Sequence, residues 1–215
     1  MFQITTATKK LKKLKRRIRG IAGGTSASKT ITILMILITY AQKNKGKVVS
    51  VVSESMPHLK KGAIRDFLNI MQTHGYFVRA RWNKTDSTYT FDGNTIFEFF
   101  SVESWERVKG ARRDILFINE ANHITYNAYT QMEIRTKEVI WLDWNPETEF
   151  WFYEEIKDVQ ECDFVTLTYT DNEALDERIV ESIESRRHNK NWWRVYGLGL
   201  LGEVEGRVYT GWKII

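Results

Sequence analysis

The sequence is short of several things that decide function class. It has one cysteine, Cys162, and two prolines in 215 residues. A single thiol excludes a disulfide framework and a cysteine-based zinc site. The four histidines (His58, His74, His123 and His188) are scattered, without the short spacings of metal ligands, so no structural metal is expected. No apolar run is long enough to cross a bilayer: the longest, ITILMILITYA at 31–41, is short and carries two threonines. No secretory leader is visible, because the basic N-terminal segment leads into a glycine-rich loop and not into an apolar stretch with a cleavage site. An intracellular protein with no membrane contact is expected. No internal repeat or low-complexity linker interrupts the chain.

What remains is an ordinary globular composition, 42% hydrophobic and 27% charged, with enough length for one large domain, or one and a half, and a substantial core. The formal net charge is +5. Much of the excess lies in KKLKKLKRRIR, residues 9–19, where eight of eleven residues are Lys or Arg. Leu11, Leu14 and Ile18 recur at spacings of three and four, which predicts a helix with a narrow apolar stripe and a dense cationic face. Such a face suits a polyanion such as DNA. It equally suits a solvated helix, or one balanced by acidic neighbours.

The rest alternates strand and helix. RIRGIAGG reads as a strand running into a loop, SKTITILMILITYAQKNKG as a buried helix ended by lysines and Gly46, and KVVSVVS as a β-branched strand. Pro57 then breaks the chain before an amphipathic helix around Lys61 to Met71. FVRARW follows as a strand, then STYTF and TIFEFFS as a hairpin around DGN. DILFI, a helix near Asn127 to Arg135, EVIWLDW, a helix near Thr148 to Lys157, the strand DFVTLTYT and a helix from about Leu175 to His188 complete the alternation. Strands separated by helices predict a mostly parallel α/β sheet covered on both faces. Two parts are expected: residues 1–188 as the main domain with its basic helix, and 189–215 as an irregular subdomain or linker.

The chemistry-bearing stretch is GGTSASKT. A phosphate-binding loop reads G-x-x-x-x-G-K-[ST] between a strand and a helix. Gly23 takes the first position, and Ser28 stands where the second glycine belongs, before Lys29 and Thr30. Backbone N–H groups from about Ser26 to Thr30, with Gly24, Thr25 and Ala27 in the same loop, would wrap the phosphates of ATP. Lys29 would reach the β and γ phosphates, and the Thr30 hydroxyl would ligate Mg²⁺. A serine at 28 is tolerable if that residue is helical, because only a positive φ strictly favours glycine. DILFINEA supplies a strand ending in Asn119 and Glu120. In an NTPase the first position there is normally Asp, which helps to hold Mg²⁺, and the second is the Glu that polarises the attacking water. Asn119 and Glu120 therefore fall at the metal and catalytic positions. LDWNPE adds Asn145, with Asp143 as the second choice, as a residue positioned to sense the γ-phosphate; a local turn before Pro146 explains Asn145 equally well.

GGTSASKT, LFINEAN, DWNP and TYTDN, in that order, resemble the ATPase domain of the large terminase subunit of tailed bacteriophages. The resemblance spans about residues 15–175, and the tail is similar to that family's LGE…EG.VY region. It implies an additional-strand, RecA-like P-loop NTPase fold with a small subdomain formed by the chain ends. It also implies an ATP-driven motor that moves double-stranded DNA into a procapsid. The partners implied are the portal protein, the small terminase subunit and like subunits in a ring, a pentamer by that resemblance and a monomer in isolation. The setting implied is the host cytoplasm. A C-terminal nuclease domain would lie beyond this chain. Many terminases carry Arg in the loop where Thr25 stands, so positive charge on the γ-phosphate must come from elsewhere. Arg107, Arg112 and Arg113 in WERVKGARRD are the candidates, with Arg79 and Arg81 secondary, and the sequence does not choose among them. Two other readings fit the loop: another P-loop DNA motor such as a helicase, and a nucleotide-binding module that no longer hydrolyses.

Overall fold

The computed structural model describes residues 4–110 and 112–203. Eight strands form one sheet: β1 (Ile18–Gly23), β2 (Val48–Ser53), β3 (Trp82–Asn83), β4 (Thr88–Thr90), β5 (Ile96–Ser101), β6 (Arg113–Asn119), β7 (Thr136–Trp144) and β8 (Cys162–Leu167). Their order is β3-β4-β5-β2-β6-β7-β1-β8. The six strands from β5 to β8 run parallel, and β3 and β4 add an antiparallel edge. The expected mostly parallel sheet is therefore present. β7 lies between β1 and β6, which is the inserted strand that the additional-strand fold requires.

Both faces are covered, as parallel strands need. Along each strand successive side chains go to opposite faces. Ile115 and Phe117 of β6 and Trp141 of β7 join one core with Ile33, Leu34, Leu37 and Ile38 of α2 (Lys29–Lys43) and Phe67 of α4 (Ala63–Thr73). Leu116 and Ile118, with Ile140, Leu142 and Trp144, join the other core with Val108 of α5 (Trp105–Gly110), Tyr129 and Met132 of α6 (Tyr126–Glu133) and Phe152. The second core is aromatic. The Trp144 ring centre lies 4.5 Å from that of Phe152 and 5.3 Å from that of Phe150. Gly20 lies directly against these rings, where a Cβ would run into Phe152 and Trp144.

Several local expectations are corrected. The basic segment is not one helix: α1 spans Thr6–Lys13, and Leu14 is already extended. The Asp163 carboxylate accepts the backbone N–H groups of Lys15 (2.6 Å) and Arg16 (2.8 Å). This draws the chain into β1, where Ile18 pairs with Ile140 and Cys162. Of the predicted apolar stripe only Leu11 lies on the helix. The amphipathic helix expected after Pro57 is α4, but Pro57 itself sits in the first turn of an additional short helix, α3 (Met56–Lys61), behind the N-cap Ser55, where its missing N–H costs nothing. FVRARW gives a 3-10 turn at Arg79–Arg81 and only the short β3. The helix expected near Thr148–Lys157 is a π-helical turn at Phe152–Ile156, and the one from Leu175 shortens to α7 (Glu177–Glu184). The hairpin turn at DGN holds, with Asn94 at φ 58°, a conformation Asn tolerates.

The segment beyond Asn189, expected as an irregular subdomain or linker, touches the loops that follow β1 and β7 and the end of β8. α8 (Lys190–Trp192) leads into a π-helical turn at Trp193–Gly197. The Gly202 N–H reaches the Pro146 carbonyl at 2.9 Å. The rest of the expected linker, 204–215, lies outside the described residues.

Because Phe152 fills the space that Gly20 leaves, Phe152→Ala should lower the unfolding free energy by about 3–5 kcal/mol. Urea unfolding of the two proteins would measure it. A loss under ~1 kcal/mol would mean that the neighbouring rings close the gap.

Candidate nucleotide-binding site

The C-terminal ends of β1, β6 and β7 meet at one edge of the sheet and build a cleft of about 240 Å³. The loop after β1 forms one wall. Its Gly24 N–H is bound by the Leu167 carbonyl at 3.1 Å and its Thr25 N–H by the Tyr196 carbonyl at 3.0 Å. Gly24 could not carry a side chain there, since a Cβ would run into the Tyr196 carbonyl. Among the described residues, the N–H groups of Ser26, Ala27, Ser28, Lys29 and Thr30 have no acceptor within the protein. Five converging donors at the N-terminus of a 15-residue helix form an anion nest, which the helix dipole reinforces.

Ser28 is not helical. It has φ 56° and ψ 21°, in the left-handed region, so the glycine of the usual pattern would be at ease where the serine is strained. Ser26 shares the conformation at φ 57°. Such a residue costs about 1–2 kcal/mol. At Ser28 a contact between its hydroxyl and that of Thr32, at 3.2 Å, offsets part of it.

Lys29 folds back over the loop. Its ammonium donates to the Gly23 and Gly24 carbonyls (2.9 and 3.0 Å) and to Asn145 Oδ1 (2.8 Å). Burial pushes its pKa down to about 8, against the pull of the Asp143 and Glu120 carboxylates. The opposite wall comes from β6 and β7, in which Asn119 and Asp143 are register partners. Both are buried, at 5% and 1% exposure. Asp143 accepts from the Thr30 hydroxyl (2.6 Å), from Asn119 Nδ2 (3.0 Å) and from the Glu120 backbone N–H (3.0 Å).

Glu120 follows β6 at φ 58° and ψ 59°, a strained conformation of the kind that gathers at functional sites. Its carboxylate meets His58 Nε2 at 3.1 Å and His123 Nδ1 at 3.5 Å. In the sequence both belong to the four scattered histidines. The signal was the position of His123 three residues after Glu120; nothing in the sequence marked His58.

Lys29, Thr30, Asn119, Glu120, Asp143 and Asn145 thus line one cleft with the loop from Gly24 to Ser28, and Gly23 sits just behind it. The three candidate arginines lie outside this cleft. Arg113 begins β6, at the far edge of the sheet, and is 2% exposed. One of its terminal nitrogens donates to the Arg107 carbonyl at 3.3 Å, and its guanidinium lies over the Phe100 ring. Arg107 is half-buried on α5, with its guanidinium over the same ring. Arg112 is exposed. Arg81 is paired with Asp92.

An inserted strand between the loop-bearing strand and the acid-ended strand, with an N–H nest and an invading lysine, defines the P-loop NTPase fold of the additional-strand, RecA-like class. The sequence profile of the phage terminase large subunit family matches residues 15–200. The chain belongs to that family. No curated protein sequence matches it. Among solved structures it is similar to the large terminase of a thermophilic bacteriophage, with a TM-score of 0.79 and 21% identity over 95% of this chain and 54% of that one. The same phage's large terminase in complex with ATP-gamma-S superposes with a TM-score of 0.73 at 20% identity, over 91% of this chain and 51% of that one. The ATPase domain of a Thermus phage large terminase gives 0.65 at 11% identity, over 91% and 92% of the two chains. These likenesses carry the fold. The chain spans about half the length of the thermophilic phage terminase.

Ser28→Gly should raise the unfolding free energy. Release of the left-handed strain gives ~1–2 kcal/mol, and the freedom glycine adds to the unfolded chain takes back ~0.5–1 kcal/mol. A net gain of about 1 kcal/mol in denaturant unfolding is expected. A loss of stability would show that the Ser28–Thr32 contact outweighs the strain.

Proposed function

We propose that this chain is the ATP-hydrolysing motor domain of a terminase and that it drives double-stranded DNA into a procapsid. The observation that carries this is the convergence of the N–H nest, Lys29 and Glu120 on one cleft across the inserted strand. Family membership and the nucleotide complexes of the thermophilic phage terminase support it.

The free N–H groups of residues 26–30 bind the triphosphate. Lys29 leaves the Gly23 and Gly24 carbonyls and Asn145 for the β and γ phosphates. Asn145, freed of the ammonium, faces the γ-phosphate and senses its presence. Glu120 polarises a water and takes its proton as the water attacks. His58 and His123 hold the Glu120 carboxylate until it is needed.

Magnesium fits this site. Beside the Thr30 hydroxyl lies the Asp143 carboxylate, so two side-chain oxygens adjoin there, with the Asn119 amide in contact with both. That is the donor set of an ion held by one or two protein groups together with phosphate and water. When bound, the ion would offset the phosphate charge that develops in the reaction.

In a ring of like subunits at the portal protein, with the small terminase subunit delivering DNA in the host cytoplasm, a neighbour supplies the further positive charge. Of Arg107, Arg112 and Arg113, only Arg112 is exposed enough to enter another subunit's cleft. Lys9, Lys12, Lys13 and Lys15 are exposed and, among the described residues, carry no ion pair, whereas Lys10, Arg16 and Arg17 are paired with Asp171, Asp163 and Glu133. The four free lysines are the DNA-facing charges of the basic segment.

Glu120→Gln should bind ATP as the unaltered chain does while hydrolysis falls at least ~10²-fold, and Lys29→Ala should lose binding itself. Unchanged phosphate release in Glu120→Gln would sink the catalytic assignment.

A second outcome is a pH dependence. The Lys29 ammonium of the free protein titrates at about 8, and bound phosphate favours its charged form. Nucleotide taken up above that pH must bring a proton with it. Affinity for a non-hydrolysable ATP analogue should hold steady below about pH 8 and fall as pH rises through it, by up to ~10-fold per pH unit. Calorimetric titrations at about pH 7 and about pH 9 giving equal affinity would show that binding takes up no proton at Lys29 in this range.

A further inference from the structure

In the NTPase pattern the acid-ended strand contributes a carboxylate to the metal, and here that position is Asn119, which is neutral. The carboxylate is nevertheless present one strand away. Asp143 is the direct register partner of Asn119, and the alternation of β7 places it on the same face as Trp141, towards α2.

Its surroundings are those of an anion awaiting a cation. Asp143 is 1% exposed. Every hydrogen bond it accepts comes from a neutral donor: the Thr30 hydroxyl, the Asn119 amide and the Glu120 backbone N–H. Among the described residues no Lys, Arg or His lies within ion-pair distance of it; Lys29 is bonded to the loop carbonyls and to Asn145 instead. A buried carboxylate whose nearest cation is bonded to other groups is costly, even though Lys29 feels its charge. Its three bonds leave lone-pair capacity on the oxygens. One donor is the hydroxyl of Thr30, the residue at the metal-ligating position of the loop. The Asn119 amide nitrogen also reaches that hydroxyl, at 3.3 Å. This turns the donor end of the amide towards the site, where a ligand oxygen would be needed.

We infer that Asp143, and not Asn119, supplies the anionic protein partner of a divalent cation of the magnesium class beside the bound nucleotide. The acid of the metal site has moved across one strand pair, and Asn119 has become the donor that holds it in place. The inference rests on the nucleotide-site reading given above and specifies which residue carries its charge.

The test is a titration of the full chain with Mn²⁺ in the presence of a non-hydrolysable ATP analogue, followed by electron paramagnetic resonance of the free ion. Binding of the analogue is also measured in a chelator. Asp143→Asn should lower Mn²⁺ affinity ~10–100-fold, taken relative to that variant's own analogue binding in chelator, because loss of the Asp143 charge also reaches Lys29. Asn119→Ala should lower it far less. The exchange Asn119→Asp with Asp143→Asn keeps one amide facing one carboxylate, so it guards against a simple folding defect, and it should regain most of the affinity. Circular dichroism checks that each variant is folded. The inference is overturned by unchanged Mn²⁺ affinity in Asp143→Asn, or by a folded exchange variant that stays as weak as Asp143→Asn. If the unaltered chain binds neither analogue nor Mn²⁺, the nucleotide reading falls first and this inference with it.

Discussion

The hydrogen-bonded register of β7 between β6 and β1 is the constraint on which the site depends. Asn119 stands opposite Asp143, and Ala22 opposite Trp144. Three strand ends are thereby brought level at one edge. Side chains alternate with a period of two, so a slip of one residue would move Asp143 into the aromatic core and bring Trp144 round to the helix N-terminus. Both errors are heavily penalised. The slip would bury a carboxylate among Phe150, Phe152 and Phe164, and it would strip a large indole of its partners. The apolar side chains of β7 thus fix the position of Asp143 without touching the chemistry.

The same constraint explains why a buried polar cluster is tolerable here. Thr30, Asn119 and Asp143 satisfy one another, and the donors come from three different elements: α2, β6 and the chain just past β6. Such a network is stabilising only when its geometry is held, and the two packed faces of the sheet hold it. Glu120 differs. Its side chain is one-third exposed and, among the described residues, is paired only with two histidine side chains, so the carboxylate can move without unpicking the sheet. The cleft thus sets a fixed, buried carboxylate beside a partly exposed one.

Most of the fold could be read in advance because its signals are local. β-branched runs such as KVVSVVS, the DGN turn and the long apolar helix after the loop each carry their own period or punctuation. The errors fall where a distant residue decides. Nothing in KKLKKLKRRIR shows that Asp163, far along the chain, will take the N–H groups of Lys15 and Arg16 and end the helix early. The π-helical turn at Phe152–Ile156 is likewise set by the rings it packs against. In the site, the loop, Asn119, Glu120 and Asn145 were legible as motifs. Asp143 was visible only as the second choice beside Asn145, because its pairing with Asn119 is a matter of strand register. His58 was invisible, because it reaches Glu120 only after the sheet has folded.

Strain marks the places where binding chemistry overrides local preference. Among the described residues five non-glycine positions have positive φ, and three of them line the cleft: Ser26, Ser28 and Glu120. The other two, Ser87 and Asn94, belong to chain reversals around β4. A turn tolerates such a conformation because little else depends on it. In the cleft it has consequences. The left-handed serines aim successive N–H groups inwards, which a helical or extended backbone would not do. The left-handed Glu120 puts its own N–H on Asp143 while its carboxylate turns away towards the histidines. Each residue costs about 1–2 kcal/mol in isolation, a sum comparable with a sizeable part of a domain's net stability. The cost can persist because the residues on either side are anchored, β1 and β6 by the sheet and α2 by its buried face. Placing the strained residues at the ends of the most tightly held strands is therefore a requirement of the design and not an accident of this loop.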